Sequence, residues 1–168
     1  EFDVDEVLPS YFFRKEDDLP VLEKKALDLC KGKVLDVGAC SGCHSIILSQ
    51  KGIDVTSLEK STLCCEVMKD RGLKKVVEED FFKYSDGKFD TILLLMNGTG
   101  IAGTLSRLDD FFQKLKGLLL PGGQVLIDSS DLVYLYLEED GSALLDLNAE
   151  RYYGELVYQT EYRGRLGA

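Results

Sequence analysis

The stretch that most constrains the fold is residues 34–44, VLDVGACSGCH. An apolar run that ends in an acid passes directly into a turn with small residues at alternate positions, Gly38, Cys40 and Gly42. Glycine adopts backbone conformations closed to other residues, and the helix that follows such a turn points unpaired N–H donors at a ligand. The pattern is typical of a parallel strand that leads a nucleotide-like ligand to a helix start, and it predicts a small-molecule site at this turn.

Strand-like apolar runs alternate with helical patterns along most of the chain. The five apolar runs predict strands at residues 33–37, 54–58, 75–79, 89–96 and 124–128, and the segments between them predict helices. Because right-handed crossovers leave few alternatives, this alternation predicts an α/β fold with a doubly wound, mostly parallel sheet and helices on both faces. Beyond these strands, 132–138 indicates a short helix, and the period of two over 155–163 predicts an antiparallel edge strand.

The chain length of 168 residues is typical of one domain. We expect an N-terminal flap at 1–18, a cofactor-binding core at 19–128, and a substrate-side and edge-strand segment at 129–168. The sequence stops shortly after the expected edge strand, so we expect the strand that would pair beyond it to be missing. An exposed edge there would also allow a homodimer.

The net charge disfavours several classes of partner, and the cysteine count indicates the redox state of the thiols. The net charge is -10, with 30 acidic residues against 20 Lys and Arg, which disfavours binding to nucleic acid or to anionic membranes. No apolar run approaches the ~20 residues of a membrane span, and no signal peptide is recognisable. Five cysteines, an odd number, favour reduced thiols over a disulfide framework. We therefore expect a cytoplasmic protein whose partner is a small-molecule substrate.

Polar residues follow the ends of the first four predicted strands. Asp36 and the glycine turn end the first strand, and Glu59, Asp80 and Asn97 end the next three. The carboxyl ends of parallel strands meet at one edge of the sheet, where open α/β sheets bind ligands. A carboxylate at the second strand end can accept hydrogen bonds from a ribose diol. Asp80 can accept from an exocyclic amine, and the ring of Phe81 beside it can cover a purine.

This set resembles the class I S-adenosylmethionine-dependent methyltransferases over about residues 19–128. The matching segments are 34–42 (VLDVGACSG), Glu59 after 54–58 (DVTSL), 79–81 (EDF), 89–90 (FD), and 119–123 (LLPGG) leading into 124–128. The resemblance implies S-adenosylmethionine as cofactor and S-adenosylhomocysteine as product. It places the methionine moiety over 38–42, the ribose hydroxyls on Glu59, and the adenine on Asp80 and the Phe81 backbone. The implied cofactor-binding residues are Asp36, Gly38, Ala39, Cys40, Gly42, Glu59, Lys60, Asp80, Phe81 and Asn97.

Two other functions share this fold. Nicotinamide dehydrogenases use G-x-G-x-x-G, which fails here because Cys40 and Cys43 stand where glycines are needed. Cys40 also replaces the middle glycine usual in the methyltransferases, and we expect an altered pocket wall there. A noncatalytic or regulatory cofactor-binding domain of the same fold stays open as the alternative, because fold does not determine activity.

A metal site is the competing interpretation of the cysteines. Cys40, Cys43 and His44 have ligand chemistry, but adjacent Cys64 and Cys65 would point to different faces of a helix. We therefore predict packing and turn cysteines, with no metal bound. A thiol at a helix N-terminus could still be open to oxidation.

The catalytic residues are not fixed by spacing. In methyl transfer the cofactor supplies the leaving group, so the protein mainly aligns the reactants and excludes water. The candidates are Asn97 and Tyr11, with Arg14 meeting a carboxylate and Asp128, Asp131 or a tyrosine accepting a proton. We expect the acceptor to enter above 97–102, enclosed by 10–14 and 129–134. Asn97-Gly98 lacks the Asn/Asp-Pro-Pro-aromatic pattern of the adenine- and glutamine-directed enzymes, which disfavours those substrates. The acidic net charge favours a small, neutral or cationic metabolite over a nucleic acid, and a protein substrate stays open as the alternative.

Overall fold

A five-stranded parallel sheet organises the chain in the computed structural model, which describes residues 6–146, 148–149 and 151–166. Its order is β3-β2-β1-β4-β5, and every pairing is parallel. The strands are β1 Lys33–Val37, β2 Asp54–Glu59, β3 Val76–Glu78, β4 Phe89–Leu94 and β5 Leu119–Ile127. The chain order reverses between β1 and β4, which is the point where open α/β sheets bind ligands. The predicted doubly wound fold is confirmed.

Within the described residues, four α-helices cover the sheet: α1 Val21–Leu29, α2 Cys43–Gln50, α3 Thr62–Asp70 and α4 Leu108–Leu118. Short 3₁₀ turns occupy Pro9–Phe13, Glu16–Asp18, Gly98–Ala102, Leu105–Arg107 and Leu132–Tyr136. The helix expected over 132–138 is therefore a single 3₁₀ segment. Among the residues described, no helix combines the length and the apolar character needed to cross a membrane.

The core lies on both faces of β1 and β4. On one face Leu35 packs with α4 residues Phe111 and Leu115. On the other face Val34 packs with Leu27 of α1 and with α2. Adjacent β1 residues thus point to opposite faces of the sheet, and both faces are buried. This is why the central strands have continuous apolar runs. The two layers hold the carboxyl ends of β1 and β4 side by side.

Two strands, β4 and β5, differ from the expected bounds by more than one residue at an end, while β2 and β3 differ by one residue. β4 ends at Leu94, because the backbone turns into the left-handed region at Met96 and Asn97, with φ of 63° and 64°. β5 begins at Leu119 and includes the Pro-Gly-Gly segment, with a register shift where it pairs with 89–91.

The antiparallel element near the C-terminus is present as a short pair, β6 Glu161–Tyr162 with β7 Arg165–Leu166. It is shorter than the expected 155–163 and pairs within its own hairpin. The homodimer expected through a free edge is therefore not supported. Residues 1–5 of the expected flap, and 147, 150, 167 and 168 of the C-terminal segment, lie outside the described residues.

Candidate functional site

Two adjoining cavities lie at the carboxyl ends of the strands. The first, of about 560 Å³, is lined by residues of β2, of the segment after β3, and of 97–107. The second, of about 220 Å³, lies between the turn after β1 and the N-terminal segment. Gly38 lines both cavities, while the consecutive residues Met96 and Asn97 line the second and the first respectively. The cavities therefore meet between Gly38 on one wall and 96–97 on the other.

The turn after β1 needs its two glycines for different reasons. Gly38 has a φ of +71° and borders both cavities, so ligand atoms can approach its backbone. Gly42 has a φ of +82°, and a Cβ there would lie 2.7 Å from Leu73 Cδ1 and 2.8 Å from Met68 Cγ. Gly42 lines neither cavity and instead permits α2 to begin against α3.

Cys40, between these glycines, is itself left-handed with a φ of 50°. Burial, with a smaller contribution from Cys64, raises the pKa of the Cys40 thiol to about 11, so the thiol stays protonated at neutral pH. Cys40 and Ala39 both line the second cavity.

Glu59 connects β2 to the turn. One carboxylate oxygen accepts the Cys40 N–H at 2.9 Å, and the other accepts the Ser61 N–H at 2.9 Å. Each oxygen has two acceptor sites, so the fixed carboxylate can still accept hydrogen bonds from a diol. Glu59 and Lys60 line the first cavity, as the ribose assignment requires.

The expected adenine residues also line the first cavity. Asp80 accepts the Phe82 N–H at 2.8 Å. The Phe81 ring, however, packs in the core 5.5 Å from Phe111, measured between ring centroids. Half-buried Phe82 lines the cavity beside it, and the Arg107 guanidinium carbon lies 4.1 Å from the Phe82 ring centroid. We therefore assign the accessible ring at this position to Phe82.

Asp36 is 2% exposed and lines the second cavity. Ser45 Oγ donates to its carboxylate at 2.7 Å, and Ser57 Oγ donates to Ser45 Oγ at 2.7 Å. Burial raises the pKa of Asp36 above its usual value, and the nearby His44 opposes this shift. The carboxylate is thus positioned, and partly destabilised, at the end of β1.

A buried charge cluster holds the N-terminal segment against this cavity. Arg14 makes two contacts of 3.1 Å with the Glu23 carboxylate, and His44 Nε2 lies 2.7 Å from the same group. The Arg14 guanidinium carbon also lies 4.1 Å from the Tyr11 ring centroid. Arg14, Tyr11 and His44 all line the second cavity, so the predicted flap residues do reach the site.

The same segment is bonded to the glycine turn. Ser41 Oγ donates to the Phe12 carbonyl, and the Cys43 thiol donates to the Phe12 carbonyl at 3.0 Å and to the Arg14 carbonyl at 3.3 Å. The thiol after the turn thus binds backbone, as expected of a packing cysteine. Within the described ranges, His, Cys, Asp and Glu form no group of three or more able to hold a metal.

The two carboxylates considered as proton acceptors are already engaged. Asp128 accepts the N–H groups of Met96, Asn97 and Gly98. Asp131 accepts the Val133 N–H at 3.0 Å and the Tyr153 hydroxyl at 2.9 Å. Neither arrangement singles out a catalytic base.

Several lining residues were not anticipated from the sequence. They include Phe82 and Arg107 in the first cavity, and Leu95 and Met96 in the second. Buried Glu23 was also missed as the centre of the charge cluster. A glutamate within a helix carries no local sequence signal of its burial.

The chain is similar to known methyltransferases in sequence and in fold. A family model described as "Methyltransferase domain" matches residues 35–127. The crystal structure of a SAM-dependent methyltransferase from Bacteroides fragilis, in complex with S-adenosylhomocysteine, is 43% identical with a TM-score of 0.88, and covers 99% of this chain and 67% of that one. No match is found among curated proteins.

More distant structures share the fold. A sugar N-methyltransferase from Streptoalloteichus is 18% identical with a TM-score of 0.60, and the match covers 77% of this chain and 56% of that one. Streptomyces venezuelae DesVI is 21% identical with a TM-score of 0.55, over 61% of this chain and 47% of that one. The resemblance and the predicted cofactor are confirmed: the chain belongs to the S-adenosylmethionine-dependent methyltransferases.

Proposed function

We propose that this protein methylates a small-molecule acceptor, with the cofactor spanning the two cavities. The observation that carries the proposal is their junction between Gly38 and 96–97. A larger cavity edged by Glu59 and Asp80 suits an adenosine group. A smaller one edged by Asp36 and Arg14 suits an amino-acid tail. The reacting centre then lies at the junction, beside Asn97.

The residues present fit the chemistry of this cofactor. Glu59 is held by two backbone N–H groups and would bind the ribose hydroxyls, while Asp80 and the Phe81 backbone would bind the adenine. In the second cavity, Asp36 would offer a carboxylate to the ammonium of the methionine moiety, and Arg14 would meet its carboxylate. The bound cofactor supplies the methyl group and a sulfonium leaving group.

The contribution of the chain is alignment and exclusion of water. The N-terminal segment covers the second cavity through contacts to Ser41, Cys43 and Glu23. Asn97 and Tyr11 stay the candidates for contact with the reacting groups. Holding two reactants in line and away from water is a large part of the rate enhancement of group transfer.

A small, uncharged amine is the acceptor class that this site favours. It carries its own lone pair, whereas a hydroxyl needs a base, and Asp128 and Asp131 already accept hydrogen bonds. The net charge of -10 also suits a neutral or cationic metabolite better than a nucleic acid. The five free thiols support a cytoplasmic location.

Calorimetric titration with S-adenosylmethionine and S-adenosylhomocysteine tests the binding part of the proposal. A methyl-transfer assay with labelled cofactor, over a panel of amines, hydroxyls and thiols, tests the reaction. We expect micromolar-range binding and label transfer to an amine. Binding with no transfer to any acceptor would favour the noncatalytic alternative, and no binding at millimolar cofactor would refute the proposal.

A further inference from the structure

We infer that Asp128 is a positioning residue that sets the junction between the two cavities by holding a left-handed turn. The inference rests on the proposed function, because it assigns a role to the place where the cofactor would cross from one cavity to the other. Asp128 follows β5, and the pairing of Leu94 with Ile127 brings it beside the end of β4.

The turn that Asp128 holds has an unusual backbone. Met96 and Asn97 are consecutive non-glycine residues with φ of 63° and 64°. Residues with a side chain rarely adopt this region, and bulky ones do so only when the surrounding structure imposes it. Asparagine tolerates the conformation better than methionine, so Met96 is the residue that most needs support.

One carboxylate supplies that support. Asp128 accepts the N–H of Met96 at 3.1 Å on one oxygen, and the N–H groups of Asn97 at 2.7 Å and Gly98 at 3.3 Å on the other. The Asp128 N–H in turn donates to the Leu94 carbonyl at 3.3 Å. Hydrogen bonds to an ionised acceptor are stronger than neutral ones. Three consecutive donors thus converge on a single charged group.

The turn separates the two cavities. Met96 lines the second cavity, where its sulfur lies 3.5 Å from Arg14 Nη2, and Asn97 lines the first. Gly98 is packed so closely that a Cβ there would lie 2.5 Å from Leu94 Cβ. The packing of Gly98 against Leu94 and the hydrogen bonds to Asp128 therefore together fix the positions of the Met96 and Asn97 side chains.

Loss of the carboxylate should disturb ligands that cross the junction. A ligand confined to the first cavity is held mainly by Glu59 and Asp80, whose contacts do not involve Asp128, and it meets the turn only at Asn97. A ligand that extends into the second cavity must pass 96–97. Asp128 therefore acts through the turn, and the affinity ratio between the two kinds of ligand measures its role.

The test compares S-adenosylhomocysteine with adenosine on the wild type, Asp128→Ala and Asp128→Asn. We expect the Kd for S-adenosylhomocysteine to rise about tenfold or more in Asp128→Ala, as the loss of charge-assisted hydrogen bonds implies, and the Kd for adenosine to change less than about threefold. Asp128→Asn keeps one acceptor oxygen and should fall between the wild type and Asp128→Ala.

Asp90→Ala is the matched control. Asp90 also accepts a backbone N–H, that of Lys33 at 2.8 Å, but at the opposite end of β4. We expect it to lower the melting temperature and to leave the ratio of the two dissociation constants unchanged. A merely structural role for Asp128 would give the same pattern as this control.

A double-mutant cycle provides a second readout. Glycine adopts the left-handed region without help, so Asp128→Ala should weaken S-adenosylhomocysteine binding less in a Met96→Gly background than in the wild type. An unchanged Kd for S-adenosylhomocysteine in Asp128→Ala, or an equal loss for both ligands, would overturn the inference while leaving the proposed function intact. A wild type that binds neither ligand would overturn both.

Discussion

The Cys40 N–H donates to the Glu59 carboxylate across 2.9 Å, so the acid that ends β2 holds the middle of the glycine turn that follows β1. The other Glu59 oxygen accepts the Ser61 N–H at the start of α3. One carboxylate thereby fixes two loops around the first cavity while keeping acceptor sites for a ligand. Its role in binding and its role in shaping the turn are coupled.

Glu59→Ala is expected to weaken S-adenosylhomocysteine binding by about tenfold to a hundredfold, because two backbone donors and the ligand hydroxyls lose a charged acceptor. Glu59→Gln should lose less, since the amide retains one oxygen. Calorimetry measures both, with Glu66→Gln on the exposed side of α3 as the control. Wild-type affinity in Glu59→Ala would contradict the assignment.

Cys40→Gly is expected to increase stability by up to about 1 kcal/mol, because a side chain in the left-handed region is strained and glycine is not. For a chain of this size, that corresponds to a rise in melting temperature of about 2–4 °C. Cofactor affinity should be equal to that of the wild type or higher.

Cys40→Val is the opposing control, since a β-branched residue tolerates this conformation poorly. Scanning calorimetry should place its melting temperature below that of the wild type. A metal ion found on Cys40 and Cys43, or a loss of stability in Cys40→Gly, would argue against this reading of the turn.

Glu23→Gln should be strongly destabilising, by about 3–5 kcal/mol, because it leaves the buried Arg14 guanidinium without its charge partner and also weakens the contact with His44. Urea unfolding monitored by circular dichroism measures the change. Asp28→Asn removes an exposed partner of Lys51 and should cost less than about 1 kcal/mol. Equal, small effects of the two substitutions would show that the cluster does not hold the N-terminal segment.

Asp36 should make the stability of the fold depend on pH. Burial raises its pKa in the folded state above the ordinary value of 3.8, so the folded protein binds this proton more tightly than the unfolded chain does. The contribution of Asp36 to the free energy of unfolding then falls as the pH rises from about 3.8 through the folded-state pKa, and is constant above it.

Asp36→Asn is neutral at all these pH values. Its free energy of unfolding minus that of the wild type should therefore increase over the same interval, as measured by urea unfolding from about pH 4 to about pH 7. Affinity for S-adenosylhomocysteine should fall, because Asp36 lines the second cavity. A difference in stability that does not change with pH would contradict the assignment.

Much of the architecture could be predicted from short sequence patterns. Apolar runs predict all five parallel strands, most clearly the central ones, because a strand buried on both faces needs such a run. The small residues after β1 predict the turn. The placement of Asp36, Glu59, Asp80 and Asn97 at one edge follows from strand direction alone. Boundaries were less accurate where tertiary contacts override local preference, as at Met96, where a methionine takes a left-handed conformation.

Sequence patterns alone establish the parallel α/β sheet, its ligand-binding edge and its family, since these depend on periodicity and on the residues at strand ends. The tertiary structure alone decided which side chains complete the site. Asp128 reaches 96–98, and Glu23 joins Arg14 to His44, only because strand order and helix packing bring distant segments together. The tertiary structure also places the Phe81 ring in the core and Gly42 against α3. The physical reason is that packing between distant segments, which no local pattern encodes, determines which atoms remain accessible to a ligand.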